Sequence, residues 1–245
     1  MSECSVIDTV IKGLGKRLNG IGKIIKAAKV LVLSPHHDDE VIGCGGTLLT
    51  YLDDDTEIVI VYMTDGRFGI KPEDAWIRKE EAQKVWDKYD RVKQIFLDFE
   101  DTKLTENSLE ARGILTDLLN DFKPDMIFTP WILDLHVDHR STSIILRESL
   151  CQAELSNCTV SSYEVMCPAY SNHSVNITKK MEAKMSFLEL YKSQHTYLNI
   201  KNTTLSLNEF RGHLFRLKSI TYAEGFCVLE QDNYCEFIDK LSNVQ

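Results

Sequence analysis

From residue 28 onward the chain alternates short apolar runs with longer amphipathic stretches. Lys29–Leu33, Glu57–Met63 (EIVIVYM), Lys93–Leu97 and Asp125–Thr129 are short and rich in β-branched or apolar residues, as expected of strands covered on both faces. Between and after them, Gly46–Leu52, Glu73–Tyr89, Ser108–Phe122 and Ser141–Ala153 read as helices. In Ser108–Phe122, Leu109, Ile114, Leu115, Leu118 and Leu119 share the helical period. Strands alternating with helices predict βαβ units, right-handed crossovers and an α/β fold with a mostly parallel central sheet. The last third is less regular, with a strand at Ser161–Met166, helices at Thr178–Tyr191 and Leu207–Leu217, and a strand-like run at Phe226–Leu229. At the other end, residues 1–27 space Ile7, Val10, Ile11, Leu14, Leu18, Ile21 and Ile25 as a helix would, beside five basic residues. We expect an N-terminal helical segment packed on the body rather than a membrane-surface helix. Gly13, Gly15, Gly20 and Gly22 each weaken an isolated helix by up to about 1 kcal/mol. With no repeat, low-complexity tract or linker, residues 1–245 are expected to form a single domain.

Composition narrows the partners. Of 245 residues, 43% are hydrophobic and 27% charged, ordinary for a globular protein, and the net charge is −9. That balance argues against nucleic acid, whose phosphates demand a basic surface. The seven cysteines are odd in number and form no CxxC pair, so we expect reduced thiols rather than a disulfide frame. No apolar run reaches the roughly 18–20 residues of a transmembrane segment, and the N-terminus shows no signal-peptide pattern. The expected location is cytoplasmic, the expected partner a small molecule, and nothing in the sequence excludes a homo-oligomer.

The turns after the strands carry the chemistry. In a parallel sheet every strand's C-terminal end lies on one edge, where ligands bind. His36-His37-Asp38-Asp39-Glu40 follow the first strand and Thr64-Asp65-Gly66-Arg67 the second. Asp98, Glu100 and Asp101 follow the third, and Trp131, Asp134, His136, Asp138 and His139 the fourth. Topology thus brings imidazoles and carboxylates to one rim, and two histidines with one carboxylate is a known ligand set of a catalytic zinc. Neighbouring residues in an extended turn point in opposite directions, so His36 and Asp39 need not share a side with His37 and Asp38. In His136-x-Asp138-His139 both histidines can ligate, or one can ligate while the other faces substrate. A metal that activates water needs a carboxylate to take the proton, and a histidine across the pocket can stabilise an oxyanion. Such a histidine needs a partner on its other nitrogen, and Asp138 is placed to serve.

Pro35-His36-His37-Asp38-Asp39-Glu40 resembles the PHPDDE signature of the LmbE-like (PIG-L) zinc-dependent N-deacetylases, and His136-Val137-Asp138-His139 resembles their HxDH signature. Gly43-Cys44-Gly45-Gly46, Thr64-Asp65-Gly66, Arg78 with Glu81, Lys192-Ser193-Gln194 and Tyr222-Ala223-Glu224-Gly225-Phe226 extend the similarity over roughly residues 28–229. The resemblance implies a Rossmann-like three-layer fold and hydrolysis of an N-acetyl group on an amino sugar or its glycoconjugate. It implies Zn2+ held by His36, Asp39 and His139, with Asp38 as general base and acid. By the same match His136 would stabilise the oxyanion, oriented by Asp138, and Arg67 would contact substrate. One departure stands out: His37 occupies the place of the family's proline, which would fix φ.

Asp98 is a candidate to orient Arg67 or meet sugar hydroxyls, against a plain loop carboxylate. Glu40 reads as a buried hydrogen-bond acceptor behind the ligands. His195 reads as structural rather than catalytic, and Trp131 as a core residue that can stack on a sugar face. The glycines at 43–46 fit neither G-x-G-x-x-G nor the P-loop and read as close backbone packing at a helix start. A divalent-metal phosphoesterase is the alternative enzyme, and a sugar-binding scaffold the non-enzymatic one.

Overall fold

The computed structural model describes residues 22–69, 71, 74–155, 158–194 and 199–242. Seven strands form one sheet: β1 (Lys29–Ser34), β2 (Glu57–Thr64), β3 (Val92–Phe99), β4 (Met126–Pro130), β5 (Thr159–Tyr163), β6 (His173–Asn176) and β7 (Ala223–Glu230). Their order is β3-β2-β1-β4-β5-β7-β6. Strands β1 to β5 run parallel, while β7 is antiparallel to both β5 and β6. The helices are α1 (Asp39–Tyr51), α2 (Ala75–Trp86), α3 (Ser108–Phe122), α4 (Val137–Leu150), α5 (Met181–Leu188), α6 (Ile200–His213) and α7 (Gln231–Ser242). They cover both faces. One apolar cluster joins Leu31, Val61 and Ile127 to Leu115 of α3, Ile145 of α4 and Ile238 of α7. The other joins Val32, Ile60 and Phe128 to Leu48 of α1, Trp86 of α2 and Phe187 of α5. Because β1 is buried on both sides, its odd and even residues feed opposite clusters, as the unbroken apolar run predicted.

The chain leaves β1 toward β2 and β3 on one side, then crosses to β4 and β5 on the other. The strand order therefore reverses between β1 and β4, which opens a crevice beyond their C-terminal ends. Both motifs emerge into that crevice.

Two helices begin earlier than the apolar period suggests. Helix α1 starts at Asp39 rather than Gly46, and α4 at Val137 rather than Ser141. Acidic residues occupy both first turns, Asp39 and Glu40 in one and Asp138 in the other, where exposed amides and the helix dipole favour negative charge. The glycines of the first motif therefore lie inside α1. A Cβ on Gly43 would stand 2.1 Å from the Tyr163 ring, so the helix can reach β5 only with glycine there.

Helix α6 lies about half its length upstream of the predicted Leu207–Leu217, and β6 and α7 had no counterpart in the sequence reading. The predicted N-terminal helix lies largely outside the described residues. Residues 23–27 are not helical; Gly22 pairs with Val175, and Ile24, Ile25 and Ala27 pack against the second cluster. The six cysteines among the described residues are free thiols. No helix among the described residues is long and apolar enough to cross a membrane.

Candidate active site

Residue 38 marks where the chain turns from β1 into α1. Asp38 has φ +137°, a region side chains rarely adopt, and its carbonyl accepts from the amides of Val41 and Ile42 at 3.0 and 2.9 Å. Glu40 holds this turn from behind. One carboxylate oxygen accepts from the hydroxyls of Tyr62 (3.0 Å) and Tyr191 (2.7 Å) and from the Trp86 indole (3.0 Å). The other accepts from the Ser34 hydroxyl (3.0 Å) and the Asp38 amide (3.2 Å). Burial pushes Glu40 up from its ordinary pKa, against those donors. It is the bracing acceptor expected behind the ligands.

On the crevice side three donor atoms meet. His36 Nδ1 lies 3.1 Å from Asp39 Oδ2, His139 Nε2 lies 3.2 Å from that oxygen, and the two nitrogens are 3.3 Å apart. All three residues are buried. Two ring nitrogens converging beside a carboxylate oxygen can share one cation. Atoms about 2.1 Å from a tetrahedral ion lie about 3.4 Å from one another, so this triangle has the dimensions of one face of such a shell; His36, His136 and His139 are also close enough together to share an ion. The residues present fit a zinc ion.

Each of these two histidines has carboxylates beside its far nitrogen. His36 Nε2 lies 3.2 Å from Asp101 Oδ1 and 3.4 Å from Asp138 Oδ2; His139 Nδ1 lies 3.1 Å from Asp134 Oδ1. This carboxylate–imidazole arrangement orients metal ligands and raises their basicity. Burial alone would lower the His36 and His139 pKa values. The surrounding carboxylates outweigh it, raising His36 well above the ordinary value and His139 to about 9. Asp101 and Asp134 were visible in sequence as rim carboxylates, but spacing alone does not pair them with a particular ring.

The acid–base candidates stand beside the triangle. Asp38 is buried, which pushes its carboxyl up; Arg78 opposes this, Asp39 adds to it, and the result is about 7. Arg78 Nη2 lies 3.4 Å from Asp38 Oδ1, and the same guanidinium donates to the carbonyls of His37 (3.1 Å) and Gly66 (2.8 Å), clamping two turns together. The His136 ring sits 4.5 Å from that of His36 and 5.1 Å from that of His139, centre to centre. Its Nδ1 accepts from the Asp138 amide at 3.2 Å, which leaves the proton of the neutral ring on Nε2. Burial, with His36 and His139 alongside, lowers the His136 pKa and favours that neutral form.

The remaining candidates take different places. Asp138 orients His136 through its backbone amide, not its carboxylate. The carboxylate accepts from the amides of Thr102 (2.7 Å) and Leu104 (3.3 Å) and supports His36, because α4 points it under the β3 turn. Arg67 is drawn to Asp65 at 2.5 Å, with Glu100 at 3.9 Å, and does not line the cavity. Asp98 pairs with Lys79 at 2.8 Å on the surface, so it does not orient Arg67. Trp131 is buried against Phe237 rather than presented to a ligand. His37, in the proline position, stacks on Tyr62 at 4.9 Å and Phe96 at 5.6 Å, both ring nitrogens unbonded. Burial and then Arg78 lower its pKa, so it packs there as a neutral aromatic ring. His195 lies outside the described residues.

The cavity over the triangle measures about 370 Å3 and is bounded by Asp38, Arg78, Asp101 and His136 on its inner side. Its outer side is formed by α6, which the sequence reading did not connect to the motifs.

The family model for GlcNAc-PI de-N-acetylases (PIG-L) matches residues 31–150. A diacetylchitobiose deacetylase from Thermococcus kodakarensis is 28% identical over 187 residues, which cover 68% of this chain and 70% of that protein. The N,N'-diacetylchitobiose deacetylase of Pyrococcus horikoshii, solved with its inhibitor, superimposes with a TM-score of 0.76 at 27% identity, covering 96% of this chain and 95% of that one. A conserved protein from Thermus thermophilus superimposes with a TM-score of 0.70 at 25% identity, covering 80% of this chain and 92% of the other.

Proposed function

The chain belongs to the PIG-L family, and from that premise we propose that it is a zinc-dependent amide hydrolase that removes the N-acetyl group from an N-acetylated amino sugar or its glycoconjugate. What supports the reading most is the triangle of His36, Asp39 and His139, closed by atoms 3.1–3.3 Å apart from the two ends of the motif region.

When bound there, Zn2+ supplies a Lewis acid and brings the pKa of water toward about 7. The chain's own groups do the rest. Asp38 takes the proton from the attacking water and delivers it to the amine as the carbon–nitrogen bond breaks, giving acetate and the free amino sugar. His136, protonated at Nε2 and held through Nδ1, donates to the oxygen that becomes negative as water adds. Asp101, Asp134 and Asp138 keep the two ligating rings oriented. Arg78 fixes the turn that carries Asp38.

The phosphoesterase alternative finds less support. Among the described residues lining the cavity, Arg78 is the one cationic Lys or Arg side chain, and it is already engaged by two carbonyls and Asp38. The test is acetate release from N-acetylglucosamine conjugates by zinc-loaded protein. Activity that disappears in Asp38→Asn while zinc stays bound agrees with the reading. Full activity in that variant, or phosphate-ester hydrolysis without amide hydrolysis, contradicts it.

A further inference from the structure

The motif residues line one part of the cavity; a stripe of α6 lines another. Ile200, Thr203, Thr204 and Leu207 recur at the i, i+3, i+4, i+7 spacing of one helical face and line the cavity together with Ile42 of α1 and Met166. The stripe is about 10 Å long at 1.5 Å per residue. The Thr203 hydroxyl spends its proton on the Asn199 carbonyl at 3.0 Å, and Thr204, Asn199 and Gln194 are the other polar residues on this part of the lining.

This wall is built rather than collapsed. The Lys184 ammonium, fully buried, donates to Ile42 O at 2.8 Å on the α1 side, to Asn208 Oδ1 at 2.8 Å on α6 and to Glu224 Oε1 at 2.7 Å on β7. Arg211, one turn further along α6, pairs with Glu164, two residues before Met166, and donates to Ala169 O at 2.8 Å. Two buried ion pairs thus fix α6 against the segments that carry Ile42 and Met166.

Resting on the reaction proposed above, we infer that the α6 stripe selects the substrate: it takes an apolar aglycone attached to the N-acetylated amino sugar, such as a short alkyl or aryl group. The amide must reach the triangle beside Asp38, and the sugar hydroxyls find polar partners on the inner side. What extends along α6 meets chiefly the apolar side chains of Ile200, Leu207, Ile42 and Met166. A second sugar there would exchange water for few hydrogen-bond partners, which disfavours it.

The experiment compares N-acetylglucosamine, N,N'-diacetylchitobiose and hexyl N-acetyl-β-glucosaminide as substrates of the zinc-supplemented chain. Calorimetry on glucosamine and hexyl β-glucosaminide runs alongside. A fully buried methylene is worth about fourfold in affinity. The hexyl glycoside should therefore exceed the free sugar in kcat/KM by at least about tenfold, through KM, and bind correspondingly tighter as the amine. Leu207→Asn and Ile200→Asn should each narrow that advantage, while an unchanged advantage in both variants overturns the assignment. Equal kcat/KM for hexyl glycoside and free sugar, a preference for the disaccharide, or equal or undetectable binding of the two amines also overturns it. If nothing is hydrolysed but the hexyl amine binds tighter, the wall stands and the deacetylase reading fails instead.

Discussion

Replacing Lys184 by methionine keeps the side-chain volume and deletes one buried charge. Lys184 and Glu224 are both fully buried, and the ammonium makes three hydrogen bonds. Glu224 would still accept from the amides of Gly46 and Thr47 at 2.8 Å and from the Thr47 hydroxyl at 2.6 Å, but without its counter-ion. Ile42 O and Asn208 Oδ1 would each lose a donor. Removing one partner of a buried pair costs about 3–5 kcal/mol, because the remaining charge stays in a medium that solvates it poorly. At about 2–4 °C per kcal/mol for a chain of this size, Tm should fall by about 6–20 °C. Glu224→Gln in the Lys184→Met background removes the stranded charge, so the double variant should be more stable than Lys184→Met alone. Urea unfolding followed by circular dichroism on the unsubstituted protein, Lys184→Met, Glu224→Gln and the double variant gives the four free energies. A neutral Lys184→Met, or a double variant that loses the sum of the two single losses, would refute the claim that pairing, rather than packing, holds this network together.

Further outcomes follow from the same geometry. Asp38→Asn should lower kcat by about 10²–10⁴ with zinc content unchanged, as measured by acetate release and metal analysis. In chelator-treated protein the folded state raises the Asp38 pKa from 3.8 to about 7 and binds its proton more tightly than the unfolded chain does. That contribution to stability is lost as pH rises from about 4 to about 7, so Asp38→Asn should gain on the unsubstituted protein over this window in urea titrations at several pH values. Gly43→Ala improves helix propensity by about 1 kcal/mol but drives a methyl group to within 2.1 Å of Tyr163. Tyr163 is fixed by its hydrogen bond to Leu33 O at 2.7 Å, so a net loss of about 1–3 kcal/mol is expected, seen as a lower urea midpoint.

The parallel half of the fold was legible because strands covered on both faces must be continuously apolar; α3 was read to its observed ends. The antiparallel edge was not. His173–Asn176 is only four residues long and half-exposed in alternation, too short to show a period. Helix α6 was displaced because the run through Phe210, Leu214 and Leu217 suggested a buried face, whereas those three residues are exposed and its buried members include Asn208 and Arg211. Within the site, sequence brought His36, Asp38, Asp39, His136, Asp138 and His139 to one place because topology alone sends the ends of β1 and β4 there. It could not say which carboxylate supports which ring. Asp138, Asp101 and Asp134 are chemically equivalent in a string of letters and are told apart only by helix phase and by the turn after β3. Arg67 and Asp98 lie beside other partners, Asp65 and Lys79, which spacing alone does not reveal.

Anomalous diffraction at the zinc edge, on crystals grown with zinc, tests the account most directly. One ion per chain bonded to His36 Nδ1, Asp39 Oδ2 and His139 Nε2 at about 2.0–2.2 Å is the predicted result. A zinc peak absent from this triangle, with the two histidine rings turned apart, would contradict it.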